Sequence, residues 1–450
     1  MNDAPLKVAI VGSGISGLAA AHTLKGRANV TLFEAGDYYG GHTHTVDVTL
    51  PTPQGLATHG VDTGFLVFNE RTYPNLIALF AELSVATARS DMSFSVKVPA
   101  RAGGGALEWS GSNLNSVFAQ RGNLVSWKFL RMLRDIVRFN RITTALAAAN
   151  AEAAMVQPLG DFLREHKFSS EFRDWYFLPM MGCIWSCPTD QMLQFPVATM
   201  IRFCQNHGLI QITDRPQWWT VKGGARHYVD KIIASIADKR LGTPVLRIAR
   251  DADAQRGGVR ITTRNQVEHF DKVVLATHSD QSLALLLEPS SAEQATLSAI
   301  RYQPNRAVLH TDSAVLPQRK IAWAAWNYER AAHAGHESSG VCLHYLLNML
   351  QPLPFTQPVV VSLNPVQEIA PQHILGEYDY MHPVFDLAAT RAQQALPGLQ
   401  GRQHSYFCGA WTGYGFHEDG LKSGMHAARL MLARNAQQGL AAPFLQGEPA

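Results

Sequence analysis

The feature that most constrains this chain is an ordered run near its start: Val8-Ala-Ile-Val-Gly12-Ser13-Gly14-Ile-Ser16-Gly17, a helix-forming stretch to about Lys25, then Asn29-Val-Thr-Leu-Phe-Glu34. Strand, glycine turn, helix, strand and acid follow in that order, which is the opening unit of a doubly wound α/β sheet. Gly12 permits the tight turn, Gly14 lets the backbone approach a pyrophosphate, and Gly17 lets the helix pack closely on its strand. The helix N-terminus offers free N–H groups and a positive dipole end to phosphate. Glu34 lies seventeen residues beyond Gly17, where a carboxylate accepts hydrogen bonds from a ribose hydroxyl. The run predicts a dinucleotide site built on Gly12, Ser13, Gly14, Ser16, Gly17, Glu34 and Ala35.

At 450 residues the chain exceeds what one core usually organises, so two domains are expected. A formal net charge of +3 is too small to argue for nucleic acid as a partner. No run approaches eighteen uninterrupted apolar residues, and the first strand begins within the first ten residues, which predicts a cytoplasmic protein without a signal peptide. Cys183, Cys187, Cys204, Cys342 and Cys408 form no CxxC pair, the pattern of reduced thiols and not of a disulfide framework. His42 and His44 have no third ligand spaced nearby, so no metal site is expected.

Periodicity along the chain suggests how the domains interleave. Residues from about Leu114 to Phe203 read as helical, whereas strand signals mark Val245–Ile248, Gly258–Thr263, the apolar run Val273-Val-Leu-Ala276 before Thr277 and His278, and Ser405–Cys408. Alternating runs between Ala307 and Leu363 suggest a second, mostly antiparallel sheet. Residues 1–75, 215–290 and 400–450 are therefore expected to form the nucleotide-binding domain. Residues 76–214, mainly helical, and 291–399 are expected to form an α+β substrate domain.

Four blocks together resemble the flavin-dependent amine oxidase and phytoene desaturase superfamily: the fingerprint with Gly40-Gly41-His42-Thr43, Asp62-Thr-Gly64-Phe65, Val221-Lys-Gly223-Gly224 ahead of Val245, and Phe407-Cys-Gly409-Ala410-Trp411 running to Gly424. The resemblance implies FAD, with Gly41, His42, Thr43, Gly64 and Phe65 beside the ring system, Val245 and Thr277 along the cofactor, and Gly409, Ala410, His417, Glu418 and Asp419 at the closing helix. Phe65-Leu-Val-Phe-Asn69, Ile184-Trp-Ser186, Trp323-Ala-Ala-Trp-Asn-Tyr328 and Gly415-Phe-His-Glu-Asp-Gly420 look closest to bacterial FAD proteins associated with cyclopropane fatty acid synthases, some of which desaturate methyl-branched acyl chains. Where amine oxidases of the superfamily carry a lysine near the flavin, the matching window Tyr302–His310 has none, and Arg306, always protonated, cannot act as a base. The acid that follows the Gly409 position in the family is replaced by Ala410-Trp411.

The reading implied is an FAD oxidoreductase that abstracts hydride from a C–H bond of an apolar substrate, most simply a lipid acyl chain, with Phe65, Arg306 and Phe416 near the ring. An amine oxidase releasing imine and hydrogen peroxide, or a non-catalytic FAD-stabilised partner of a lipid methyltransferase, are the rivals. His417, Glu418 and Asp419 either cap the closing helix or manage a proton. Candidates for an apolar lining are Trp175, Tyr176, Phe177, Met180, Met181, Trp185, Trp323, Trp326 and Tyr345. On the segment 128–141, Lys128, Arg131, Arg134, Arg138 and Arg141 fall within one helical arc of about 140°, opposite Phe129, Leu133, Ile136 and Phe139. Such a basic amphipathic helix suits the anionic inner face of a membrane. No oligomeric state is implied.

Overall fold

In the computed structural model, which describes residues 5–99, 106–149, 157–185, 189–206, 216–251, 257–330 and 342–441, the fingerprint folds as its residue types demand. The strand Lys7–Val11 is the centre of a five-stranded, all-parallel sheet in the order Asp238–Arg240, Asn29–Phe33, Lys7–Val11, Lys272–Leu275, Ser405–Phe407. Val8, Ala9, Ile10, Val273, Val274 and Leu275 are fully buried, as unbroken apolar runs in a covered parallel sheet should be. Three distant stretches of chain thus supply one sheet. Gly12 turns with φ of +99°. A β-carbon at Gly17 would lie 1.9 Å from the Gly12 carbonyl oxygen, so only glycine lets the helix Ile15–Leu24 start so close to the strand.

That helix is covered by the closing helix His417–Ala441. Contact is closest at Gly420 and Gly424, where a β-carbon on Gly424 would stand 2.0 Å from the Ser16 carbonyl oxygen. Arg247–Arg250, Val259–Thr262 and Val267–Phe270 form a small antiparallel sheet beside the parallel one.

A seven-stranded sheet runs in the order Ile374–Val384, Arg301–His310, Val360–Leu363, Cys342–Leu346, Trp326–Glu329, Phe94–Val98, Leu107–Ser110. All neighbours are antiparallel except Trp326–Glu329 with Phe94–Val98. Two of these strands, together with Thr87–Ser90, fall inside 76–214, so that stretch carries strand between its helix Pro74–Glu82 and the helices from Leu114 onward. The helices begin at Leu114, as the periodicity predicts, and run to Asn206 with Trp127–Ala148 the longest.

One face of this sheet buries a polar row that the sequence reading missed. Lys97 Nζ lies 3.0 Å from Glu329 Oε1, and Glu329 Oε2 lies 3.1 Å from His344 Nε2. Cys342 Sγ is 3.4 Å from the same nitrogen, while His344 Nδ1 meets Ser362 Oγ at 2.6 Å and that hydroxyl meets His310 Nε2 at 2.7 Å. Strand alternation is the signal that could have revealed it, since Cys342 and His344 two residues apart share a face. Among the described residues Glu329, Cys342 and His344 are also the one trio with metal-ligand spacing, but Lys97 already neutralises the carboxylate.

The basic helix divides its charges differently from the expected arc. Phe129 and Phe139 are buried and Leu133 and Ile136 half-buried, as expected. Arg131, however, turns to the buried Glu171, and Arg138 donates to the His166 carbonyl at 2.6 Å while lying over the Phe168 ring. These two cations are structural. Among the described residues no helix is long and apolar enough to cross a membrane.

Candidate active site

A cavity of about 700 Å³ opens where the parallel sheet meets the seven-stranded one. Gly12, Ser13, Gly14, Ser16, Glu34, Ala35, Gly41, His42, Gly64, Phe65, Val245, Thr277, Gly409, Ala410, Phe416 and His417 all line it, so most of the predicted site residues converge. At one end Glu34 Oε2 accepts the Ser13 N–H at 2.9 Å, and Oε1 accepts the Gly36 N–H at 2.8 Å. Gly14 has open space where a β-carbon would be, and the unpaired N–H groups of the following helix turn border the same space. Gly41 folds back over Gly14, so its β-carbon would stand 3.2 Å from the Gly14 Cα.

Four histidines occupy the middle of the cavity: His42, His278, His382 and His417. Burial, then the neighbouring His382, His278 and His417, pushes the His42 pKa down to about 3. Burial lowers His417 to about 3 and His382 to about 4, and also lowers His278. All four are neutral imidazoles near neutrality. Asn305 Nδ2 donates to His382 Nδ1 at 2.9 Å, which leaves His382 with its proton on Nε2. His417 stacks on Phe65 with ring centroids 3.9 Å apart, and its Nε2 shares a 2.7 Å hydrogen bond with the Tyr228 hydroxyl, itself 2.5 Å from Thr43 Oγ1. His42 Nε2 is buried on the cavity wall without a partner, the state of a group whose partner is a ligand.

Five predicted site residues stand outside the lining. Gly17 and Thr43 sit one layer behind it, the first under the helix turn and the second behind Tyr228. Glu418 accepts from Asn75 N, Asn75 Nδ2 and Leu76 N at 3.0, 2.6 and 3.0 Å, and so caps the helix Pro74–Glu82, which has no side-chain cap of its own. Asp419 Oδ2 accepts the N–H groups of Tyr414 and Phe416 at 3.0 and 3.1 Å, tying the closing helix to the loop before it. The expected cap on the closing helix is therefore met by Asp419 alone, while Glu418 is taken up by the helix Pro74–Glu82. Arg306 is corrected outright: Asn305 and Ala307 point inward, so alternation turns Arg306 to solvent, where it pairs with Glu377 at 2.8 Å.

Sequence reasoning missed His382 and Tyr228, which carry no local motif. His278 ends the apolar strand run, and a polar residue there was the available signal. Of the expected aromatic lining only Trp326 and Tyr345 face the cavity, whereas Phe177, Met181 and Trp185 are packed in the helical core. Cys183 also lines it. Like Cys204, Cys342 and Cys408 it is a buried free thiol, and Cys187 lies outside the described residues.

Residues 15–347 match the family model described as flavin containing amine oxidoreductase, which is well over half of the chain. The chain belongs to that family. AofH of Mycobacterium tuberculosis, named as a flavin-containing monoamine oxidase, is 25% identical over 300 residues, which are 63% of this chain and 59% of that protein. The chain therefore matches about three fifths of the length of that relative. A polyenoic fatty acid isomerase of Ptilota filicina is 36% identical over 94 residues, covering 20% of this chain and 18% of the other. In fold, the cyclohexylamine oxidase of Brevibacterium oxydans superposes with a TM-score of 0.66 over 96% of this chain and 100% of its own, at 16% identity.

The family is one of flavin-containing oxidoreductases, so FAD is the group against which the site is tested. The site fits that group. The glycine turn and helix N-terminus suit its pyrophosphate, Glu34 its adenosine ribose, and the unpaired His42 Nε2 a polar atom of the ligand. The closing helix begins at His417, on the cavity wall, and presents its positive end there.

Proposed function

We propose that this protein oxidises a C–H bond of an apolar substrate, a lipid acyl chain, in a desaturase-like reaction. The observation that carries the reading is the chemistry of the wall. Among the described lining residues Glu34 is the single charged side chain, and it belongs to the nucleotide end. The opposite end is Leu66, Met92, Ile184, Phe203, Trp326, Tyr345 and Met381, with no lysine, arginine or carboxylate. An amine entering as a cation would lose its hydration there without a counter-charge. A hydrocarbon chain loses nothing by entering.

Bound FAD supplies the two-electron acceptor such a reaction needs. The chain's own residues exclude water, hold the donor carbon in place and offer neutral imidazoles for hydrogen bonding near the ring position. Trp326 Nε1 is buried and without a partner on the same wall, which gives an otherwise apolar pocket one donor for an acyl carbonyl. The partial likeness to a fatty acid isomerase supports the lipid class.

The test is anaerobic mixing of the holoprotein with phospholipids or acyl esters and, separately, with a panel of amines, following bleaching of the flavin band. Reduction by the lipid, with loss of two hydrogens in the acyl mass, is the expected result. Fast bleaching by a simple amine would overturn the reading in favour of amine oxidation.

A further inference from the structure

The helix Trp127–Ala148 has an outer face that its packing does not explain. Inward, Phe129, Met132, Phe139, Thr143 and Ala147 are buried. Opposite them Trp127, Leu130, Arg134, Val137 and Arg141 recur at steps of three and four, a single stripe of the helix. Trp127 is 70% exposed and Val137 54%, and in the turn that leads into the helix Val125 is 86% and Leu124 52% exposed. Single exposed apolar side chains are ordinary, but a continuous set of this size marks an interaction surface.

Charge identifies the partner. Residues 121–141 hold six basic side chains and one acid, Asp135, and Asp135 is buried and accepts the Ser169 N–H at 3.0 Å. With Arg131 and Arg138 turned to Glu171 and His166, the exposed cations are Arg121, Lys128, Arg134 and Arg141, of which Arg134 also pairs with Asp135 at 3.2 Å while staying 66% exposed. On the outward stripe cations and apolar residues share one face. An isologous contact of this stripe with a second copy, centred near Val137, would set Arg134 against the other copy's Arg141, like charge on like. A surface that takes apolar side chains and anion-binding groups side by side is an anionic bilayer, where long basic side chains reach headgroup phosphates above inserted apolar ones.

We propose that the corner formed by Leu124, Val125 and the outward stripe of Trp127–Ala148 docks this protein on anionic lipid, with Trp127 and Val125 in the interfacial layer. The helix packs on residues 170–177, which run on into Leu178–Trp185, whose last turn brings Cys183 and Ile184 to the cavity, so the docked face and the apolar end of the site are joined through one run of helix. Docking stands apart from the substrate reading, because it is measured without turnover.

Sedimentation of the holoprotein with phosphatidylglycerol–phosphatidylcholine vesicles tests it, with pure phosphatidylcholine as control. Binding is expected to require the anionic lipid and to weaken steeply as salt rises toward 1 M, where screening acts over about 3 Å. The pair Trp127→Gln with Val125→Asn, and separately Arg134→Gln with Arg141→Gln, should each weaken binding about tenfold or more, with flavin content and melting temperature unchanged. Unchanged binding in both variants, equal binding to the neutral vesicles, or a concentration-dependent dimer that Trp127→Gln dissolves would overturn the proposal. Vesicle binding without lipid oxidation would remove the substrate reading alone, and lipid oxidation without vesicle binding would remove this one alone.

Discussion

At the scale of single residues, Glu34 anchors the nucleotide end of the cavity, its two carboxylate oxygens accepting the Ser13 and Gly36 N–H groups. Glu34 was found because strand, helix and acid have a fixed spacing, and its contacts with Ser13 and Gly36 follow from that geometry. Glu34→Gln keeps the shape but loses charge-assisted hydrogen bonds. FAD affinity should fall about tenfold or more, roughly 1.5–3 kcal/mol, read as a fluorescence-titrated dissociation constant. Glu418 shows the opposite case. An acid at a helix start reads as a local cap, yet its partners are Asn75 and Leu76, more than three hundred residues away, which only the tertiary fold brings to it. Arg306 failed on parity. Ala307–His310 are all buried, so the strand's own pattern gives no facing, and its pairing with Ile374–Val384 decides it. Trp326→Phe should leave flavin content and the rate of flavin reduction at saturation intact while raising KM for an acyl donor, by up to about tenfold for one hydrogen bond. An unchanged KM would remove the indole from substrate recognition.

At the scale of elements, the amphipathy of Trp127–Ala148 is plain from spacing, but nothing local signals that Glu171 and the His166 carbonyl draw two of its arginines inward. Packing of the closing helix on the helix Ile15–Leu24 depends on glycine at the contact. Gly424→Ala places a β-carbon on the Ser16 carbonyl oxygen. The cost should be about 1–3 kcal/mol or more, seen as a lower melting temperature with weaker FAD retention. Gly398→Ala, where nothing lies within 4 Å, should leave both nearly unchanged.

At the scale of the whole molecule, buried histidines bound the pH range from both sides. Burial opposes charge on His344, but Cys342 and Glu329 outweigh it and hold its pKa at about 9. Raised above the ordinary 6.5, that group contributes stability fully below 6.5, and the contribution is lost as pH rises through 9. His42, His417, His382 and His310 are depressed to between about 3 and 4, so what they contribute is present above 6.5 and is lost as pH falls through those values. Thermal midpoints should therefore peak near pH 6.5 and decline on both sides, and His344→Gln should flatten the alkaline limb alone. A monotonic profile across pH 5 to 10 would contradict this.

The sheet assembled from three distant stretches also sets an order of events on the ribosome. The cofactor loop is complete in sequence by Glu34, yet the strand Lys7–Val11 must wait for Lys272–Leu275, and the helix Ile15–Leu24 has no cover until Gly424 has emerged. Synthesis runs from the N-terminus at about 5–20 residues per second, so for most of it this strand and helix lack those partners. The nucleotide site is complete only once the closing helix has been made, and a lesion in that helix is felt at the first residues made.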